Sequence, residues 1–150
     1  MYSFVLGLHN LLRWVVILAA LYLLFRTYSG LFGRRAFTAQ DAAAGRWFTI
    51  SLDVQVLIGL LLYFVLSPVT RAALANFGAA MSDSNLRFFA VEHSLMMVVA
   101  VILGHVGTAQ VRKAADDRAK FVRSAIWYTL TILVILAAVP WGRSPLLPAF

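Results

Sequence analysis

Three histidines, His9, His93 and His105, are the side chains here that could ligate a metal through nitrogen or exchange a proton near neutral pH. The chain has no cysteine, so disulfides, thiolate zinc sites, iron–sulfur clusters and c-type haem attachment are excluded. His93 and His105 lie with Glu92 in residues 87–107, RFFAVEHSLMMVVAVILGHVG, an otherwise largely apolar run. A spanning helix needs about 20 apolar residues rising ~1.5 Å each, so this run is long enough to cross a bilayer. A further carboxylate, Asp53, sits in a second apolar run. Ionisable groups inside a membrane are costly and mark a site whose partners have to be named.

Where these groups meet depends on how the chain crosses the membrane. Of its 150 residues 62% are hydrophobic and 13% charged, and the mean hydropathy is +0.85. Soluble domains carry nearer ~25% charged residues. Four apolar blocks, roughly 3–25, 47–66, 87–108 and 124–141, predict one all-α domain, an up-down bundle of four transmembrane helices. The first block follows Met1 without a basic leader or a small-residue cleavage site, so it reads as a retained helix. Gly30 and Gly33 are expected to break the helix after that block. Ser67-Pro68 ends the second block, and Pro140-Trp141 closes the fourth with an aromatic at the interface. Between the second and third, Leu74 and Phe77 suggest a short helix lying at the interface.

The net charge of +7 resembles a nucleic-acid signal, but the basic residues sit at the ends of the apolar blocks, so nucleic acid is set aside. Arg26, Arg34, Arg35 and Arg46 occupy the first connection, and Arg112, Lys113, Arg118, Lys120 and Arg123 the third. The middle connection with its flanks holds Arg71 and Arg87, and the tail Arg143. The positive-inside rule then places both basic connections in the cytoplasm and both termini on the outer, periplasmic side of a bacterial inner membrane.

That topology gives each polar residue a depth. His9 and His93 each lie six residues into their blocks from the outer side and so share a level. His105 lies about 18 Å deeper and ~120° round the helix, at the inner level expected for Asp53 and Gln55. Two imidazoles at one depth on facing helices are what a b-type haem needs, and bundle cores place cofactors this way. Continuing from His93, the helix face reads Met97, Ala100, Gly104 and Gly107, small enough in part for a porphyrin to pass. Arg13 and Arg87 are the candidate partners for its propionates. One such haem is expected.

Other readings stay open. His9 and His93 could be interfacial histidines bonded to water and backbone, or could bind quinone or an ion. His105 could hydrogen-bond Asp53 or Gln55, or ligate a second haem, for instance with its own copy in a second subunit. A second bis-histidine haem within one chain would need a fourth histidine. Arg13 needs a partner, namely Glu92, Asp53 or a propionate. Glu92 could relay protons or pair with Arg13 or Arg87, and Asp53 could carry protons or pair helices. Met96 and Met97 suit packing as well as ligation. Ala100-xxx-Gly104 suits a helix contact, and the basic connections could bind anionic lipid.

HNLLRW at 9–14, VLIGLLLYF at 56–64 followed by Ser67-Pro68, the 87–107 run and AAVPW at 137–141 resemble the small four-helix bacterial membrane proteins commonly labelled cytochrome b. The resemblance spans nearly the whole chain and is most specific at HNxxRW and FFAxEHxxMM. It implies a haem-b-binding membrane protein in an electron-transfer setting, with His9, His93 and His105 as ligand candidates. The larger quinol-oxidising cytochromes b carry a histidine pair on each of two helices, whereas the first spanning block here has one histidine.

The expected function is therefore electron transfer between membrane quinone and a partner redox protein. A subunit fits better than an independent enzyme, since no stretch resembles a nucleotide or flavin site. The alternatives are a cofactor-free structural or assembly subunit, and a quinone- or proton-handling protein using Asp53, Glu92 and His105 without haem. Membrane lipid and a homodimer or larger redox complex are the expected partners.

Overall fold

The computed structural model describes residues 1–143. Among them there is helix and no strand, with four helices long and apolar enough to cross a membrane. The spanning helices are α1 (Tyr2–Gly33), α2 (Ala39–Leu66), α5 (Ser84–Arg112) and α6 (Asp117–Ala138). Two short helices, α3 (Pro68–Ala75) and α4 (Phe77–Ser82), fill the turn between α2 and α5. Asn76 divides them, its side chain capping α4 through the Ala79 N–H. Leu74 and Phe77 both face outward.

The helices outrun their apolar blocks at the basic end, because charged flanks stay helical once capped. α1 passes through Gly30, correcting the expectation of a break there. The reason is packing: the Phe121 ring lies where a Gly30 side chain would be. The helix ends instead at Gly33, with Arg34 in the left-handed cap (φ 51°) and its N–H on the Gly30 carbonyl.

α2 starts well before Trp47. Asp41 returns a bond to the Thr38 N–H (2.8 Å), a capping box at its first turn. The same carboxylate accepts Arg26 Nε at 2.9 Å and both Arg35 terminal nitrogens at 2.7 Å. It is buried, and the Asp41 bonds hold the Arg35 guanidinium above its ordinary pKa. This network fastens the α1–α2 hairpin.

Paired contacts run in opposite directions along each successive pair of spanning helices. Arg26–Asp41 and His9–Gln55 join α1 to α2, and Asp53–His105 and Tyr63–Ala90 join α2 to α5. Thr108–Tyr128 and His93–Ala138 join α5 to α6, and Tyr28–Thr129 ties α6 back to α1. The bundle is thus up-down and closed in a square, with α1 and α5 on a diagonal.

Its core, including Val16, Leu23, Phe48, Leu52, Ala100, Tyr128 and Ile132, fills the middle. Leu18, Leu21, Phe25, Leu57, Ile102 and Leu133 point outward. So many large apolar side chains on the outside would be unfavourable in water and suit contact with acyl chains. The protein is a multi-pass membrane protein.

Candidate functional site

Away from the basic end the four helices splay around a cavity of about 270 Å³. His9 enters from α1, Gln55 and Gly59 from α2, His93 and Met97 from α5, and Ile135 and Val139 from the α6 end. The His9 and His93 ring centres are 6.4 Å apart with planes at 79°. The two imidazoles therefore do meet, across the diagonal of the square.

His93 is fixed by the end of α6. Helix ends leave carbonyls without helical donors, and here the backbone turns extended at Val139, directly after Ala138. The Ala138 carbonyl receives His93 Nδ1 at 2.8 Å. A carbonyl can only accept, so Nδ1 carries the proton and Nε2 keeps a lone pair. Metal-ligating histidines are oriented in this way. The Phe88 and Phe89 rings flank the imidazole at 5.9 and 6.3 Å.

His9 is held from α2. Gln55 Nε2 donates to the His9 carbonyl (3.0 Å) and lies 3.3 Å from His9 Nε2. This corrects the inner level expected for Gln55. Its bonds to His9 set it on the inward face of α2, opposite Asp53 and about 3 Å farther along the helix. His9 Nδ1 and Gln55 Oε1 are buried with no hydrogen-bond partner. Each such group costs about 1–3 kcal/mol, a deficit that a bound group would relieve. Gly59, one turn beyond Gln55, makes room: a Cβ there would sit 3.2 Å from His9 Cε1.

Two π-helical turns border the cavity, Leu62–Leu66 in α2 and Phe88–Glu92 in α5. Such turns disturb the i→i−4 ladder, and hydroxyls here satisfy the carbonyls beside them. Tyr63 Oη donates to Ala90 O (2.8 Å) and Thr70 Oγ1 to Tyr63 O (2.7 Å). The first of these bonds ties the two π turns together.

The remaining expected site residues divide. Arg13 lines the cavity, with its guanidinium 5.7 Å from the Trp14 ring centre. Arg87 and Glu92 pair with each other at 2.8 Å, both half-exposed and outside the lining. Arg143 takes the place expected for Arg87: it lines the cavity, bonds Ser84 O (3.0 Å) and lies over Phe88. Ala100 and Gly104 lie below the cavity, Ala100 in the core and Gly104 beside Leu52, Thr131 and Thr49. Their small size serves helix packing, not the cavity wall. His105 and Asp53 form their own pair at 2.9 Å on the outer surface.

Gln55, Gly59, Tyr63 and Arg143 went unassigned in the sequence-based site. Gln55 and Gly59 carried a signal, a lone amide in an apolar block followed one turn later by a glycine on the same face.

Among the described residues no three His, Asp or Glu side chains converge to hold a metal ion. A bare ion would lack ligands. A metal that brings its own equatorial donors fits better: imidazoles on opposite sides of one metal hold their ring centres about 6 Å apart, from ~2 Å metal–nitrogen bonds. The buried nitrogen of His9 and the lone pair on His93 suit that role. No protein-family model matches the chain, and no curated protein or solved structure is detectably similar to it.

Proposed function

We propose that this protein is an electron-transfer component of a bacterial inner membrane that binds one b-type haem between His9 and His93. The observation that carries the reading is the meeting of two imidazoles across the bundle at 6.4 Å, one of them oriented by a helix-end carbonyl. When bound, the haem supplies one-electron redox chemistry.

The chain's own residues do the positioning. Ala138 O sets the His93 ring, Gln55 sets His9, and the apolar wall of Ile135, Val139 and Met97 keeps water out. Arg13 and Arg143 offer positive charge to propionates at the cavity edge. Electrons would pass between membrane quinone and a partner redox protein, possible in a homodimer or larger complex. The charge distribution supports both termini outside, because the basic residues gather at the other end of the bundle.

The test is the reduced-minus-oxidised spectrum of the detergent-purified protein. A Soret and α-band lost in both His9→Ala and His93→Ala, and retained in His105→Ala, is expected. A colourless, fully inserted protein would refute the proposal and favour a structural subunit.

A further inference from the structure

The basic end of the bundle holds a second cavity, of about 450 Å³, between the close of α1 and the start of α6. Leu31 and Phe121 give it apolar walls, and Arg34, Arg35, Asp117 and Arg118 charged ones. Its α1 wall begins at Gly30, roughly 30 Å along the helix from His9, so it is separate from the histidine site.

The charges around this cavity do not balance. Arg35 is committed, since both of its terminal nitrogens bond Asp41 at 2.7 Å. Asp117 Oδ1 accepts Lys120 Nζ at 3.1 Å. Both carboxylates thus already face cations of the chain. The guanidinium groups of Arg34 and Arg118 make no hydrogen bond or ion pair among the described residues, and both side chains are exposed. Arg34 also stands where glycine is the usual residue. Its φ of 51° is the left-handed conformation of a helix C-cap, which a Cβ makes costly and which glycine adopts freely. An arginine at that place is explained by its charge, because glycine would end the helix at less cost.

An apolar seam leads from the cavity along the joint of α1 and α6. Arg118, Val122, Thr129 and Leu133 follow one face of α6. Tyr28 and Phe32 share a face of α1, their rings stacked at 5.9 Å. Tyr28 Oη lies 2.8 Å from Thr129 Oγ1, which sets the two faces side by side. Phe32, Val122 and Leu133 are exposed along this joint. A ligand that suits both parts carries a negative headgroup on alkyl chains. A water-soluble phosphate compound would leave the seam unused. A zwitterionic headgroup would bring its own cation into a cavity that already has an excess of them.

We infer that this cavity seats the phosphodiester of an anionic phospholipid from the adjoining leaflet, with an acyl chain along the α1–α6 seam. Arg34 and Arg118 donate charge-assisted hydrogen bonds to the phosphate oxygens, a geometry that the planar guanidinium forms in pairs. The site does not depend on what lies between His9 and His93.

The experiment uses the full-length protein in phosphatidylcholine nanodiscs containing a small fraction of a probe lipid with a diazirine in its acyl chain. The probe is either phosphatidylglycerol or phosphatidylcholine, and crosslinks are mapped by peptide mass spectrometry. The glycerol probe is expected to label residues 25–32 and 122–133 at least about fivefold more than the choline probe, and Arg34→Gly or Arg118→Gln should each lower its label about fivefold. Arg34→Gly suits the left-handed cap, so a loss there reads the charge and not the fold. Arg112→Gln and Lys113→Gln, at the same end but outside the cavity, should leave the label unchanged. Equal labelling by the two probes, or label spread evenly round the bundle, overturns the inference. So does an equal loss in the Arg112 and Lys113 variants, which would mean a diffuse basic surface. Full displacement of the label by millimolar glycerol 1-phosphate also overturns it, because the cavity would then take a soluble phosphate.

Discussion

Gly59 separates a structural role from a functional one in a single position. It lies inside α2, where replacing glycine with alanine gains about 0.5–1 kcal/mol of helix stability. Its missing side chain faces His9, and an added Cβ would stand 3.2 Å from His9 Cε1 and 3.8 Å from Nδ1. The first distance is tight, so in Gly59→Ala the imidazole must give by a few tenths of an ångström. In Gly59→Leu the added methylenes enter the same space, and overpacking of this kind costs about 1–3 kcal/mol unless the ring moves away.

The ring gives before the backbone, because Gln55 bonds the His9 carbonyl at 3.0 Å and contacts the ring only at 3.3 Å. Haem loading after reconstitution, measured by pyridine haemochrome against protein, should fall slightly in Gly59→Ala and about tenfold in Gly59→Leu, equivalent to ~1.4 kcal/mol of affinity. Thermal unfolding of the haem-free protein should be unchanged or improved in the alanine variant. Full loading and an unshifted spectrum in Gly59→Leu would show that the His9 ring is not at the seat of the metal, and the reasoning from the cavity would fail.

Asp41→Ala removes the acceptor for both Arg26 and Arg35 at a site where the carboxylate is 2% exposed. Breaking a buried pair costs about 3–5 kcal/mol, but both arginines are partly exposed, so about 2 kcal/mol is expected in detergent unfolding, less for Asp41→Asn. Tyr63→Phe should cost about 1 kcal/mol, since Ala90 O loses one donor but keeps the Ser94 hydroxyl at 3.2 Å. Orientation can be checked directly in this cysteine-free chain. Arg118→Cys should be blocked by a membrane-impermeant maleimide only after the cells are opened, and Arg71→Cys in spheroplasts that are still intact.

The four spans are legible because hydropathy reports the acyl-facing surface of a helix, and Leu18, Leu57, Ile102 and Leu133 supply that surface. Helix ends are less legible. Thr38 and Asp116 start α2 and α6 among charged residues where hydropathy has already fallen. The meeting of His9 with His93 follows from counting along two helices that start at the same end. The partner of Gln55 does not, because depth alone does not say which neighbour a side chain turns to: Gln55 faces His9 while Asp53, two residues before it, faces His105. Tertiary approach also decided the glycines. Gly30 admits Phe121 and Gly104 admits side chains of two helices, and no local pattern tells these from a helix breaker or a porphyrin passage.

α2 is the element that relates the two polar sites. Over Ala39–Leu61 it is a regular helix, and the π turn begins only at Leu62. Asp53 and Gln55 therefore sit on one rigid segment, about 3 Å apart along its axis and on opposite faces. A shift of that segment that carried Asp53 along with His105 would carry Gln55 against His9 as well. Gln55 touches His9 through backbone and ring together, so His9 would move with it. A change in the His9 environment when the outer pair is altered would mark α2 as the mechanical link. An unchanged environment would mean that Gln55 and Asp53 serve their sites separately in spite of their shared helix.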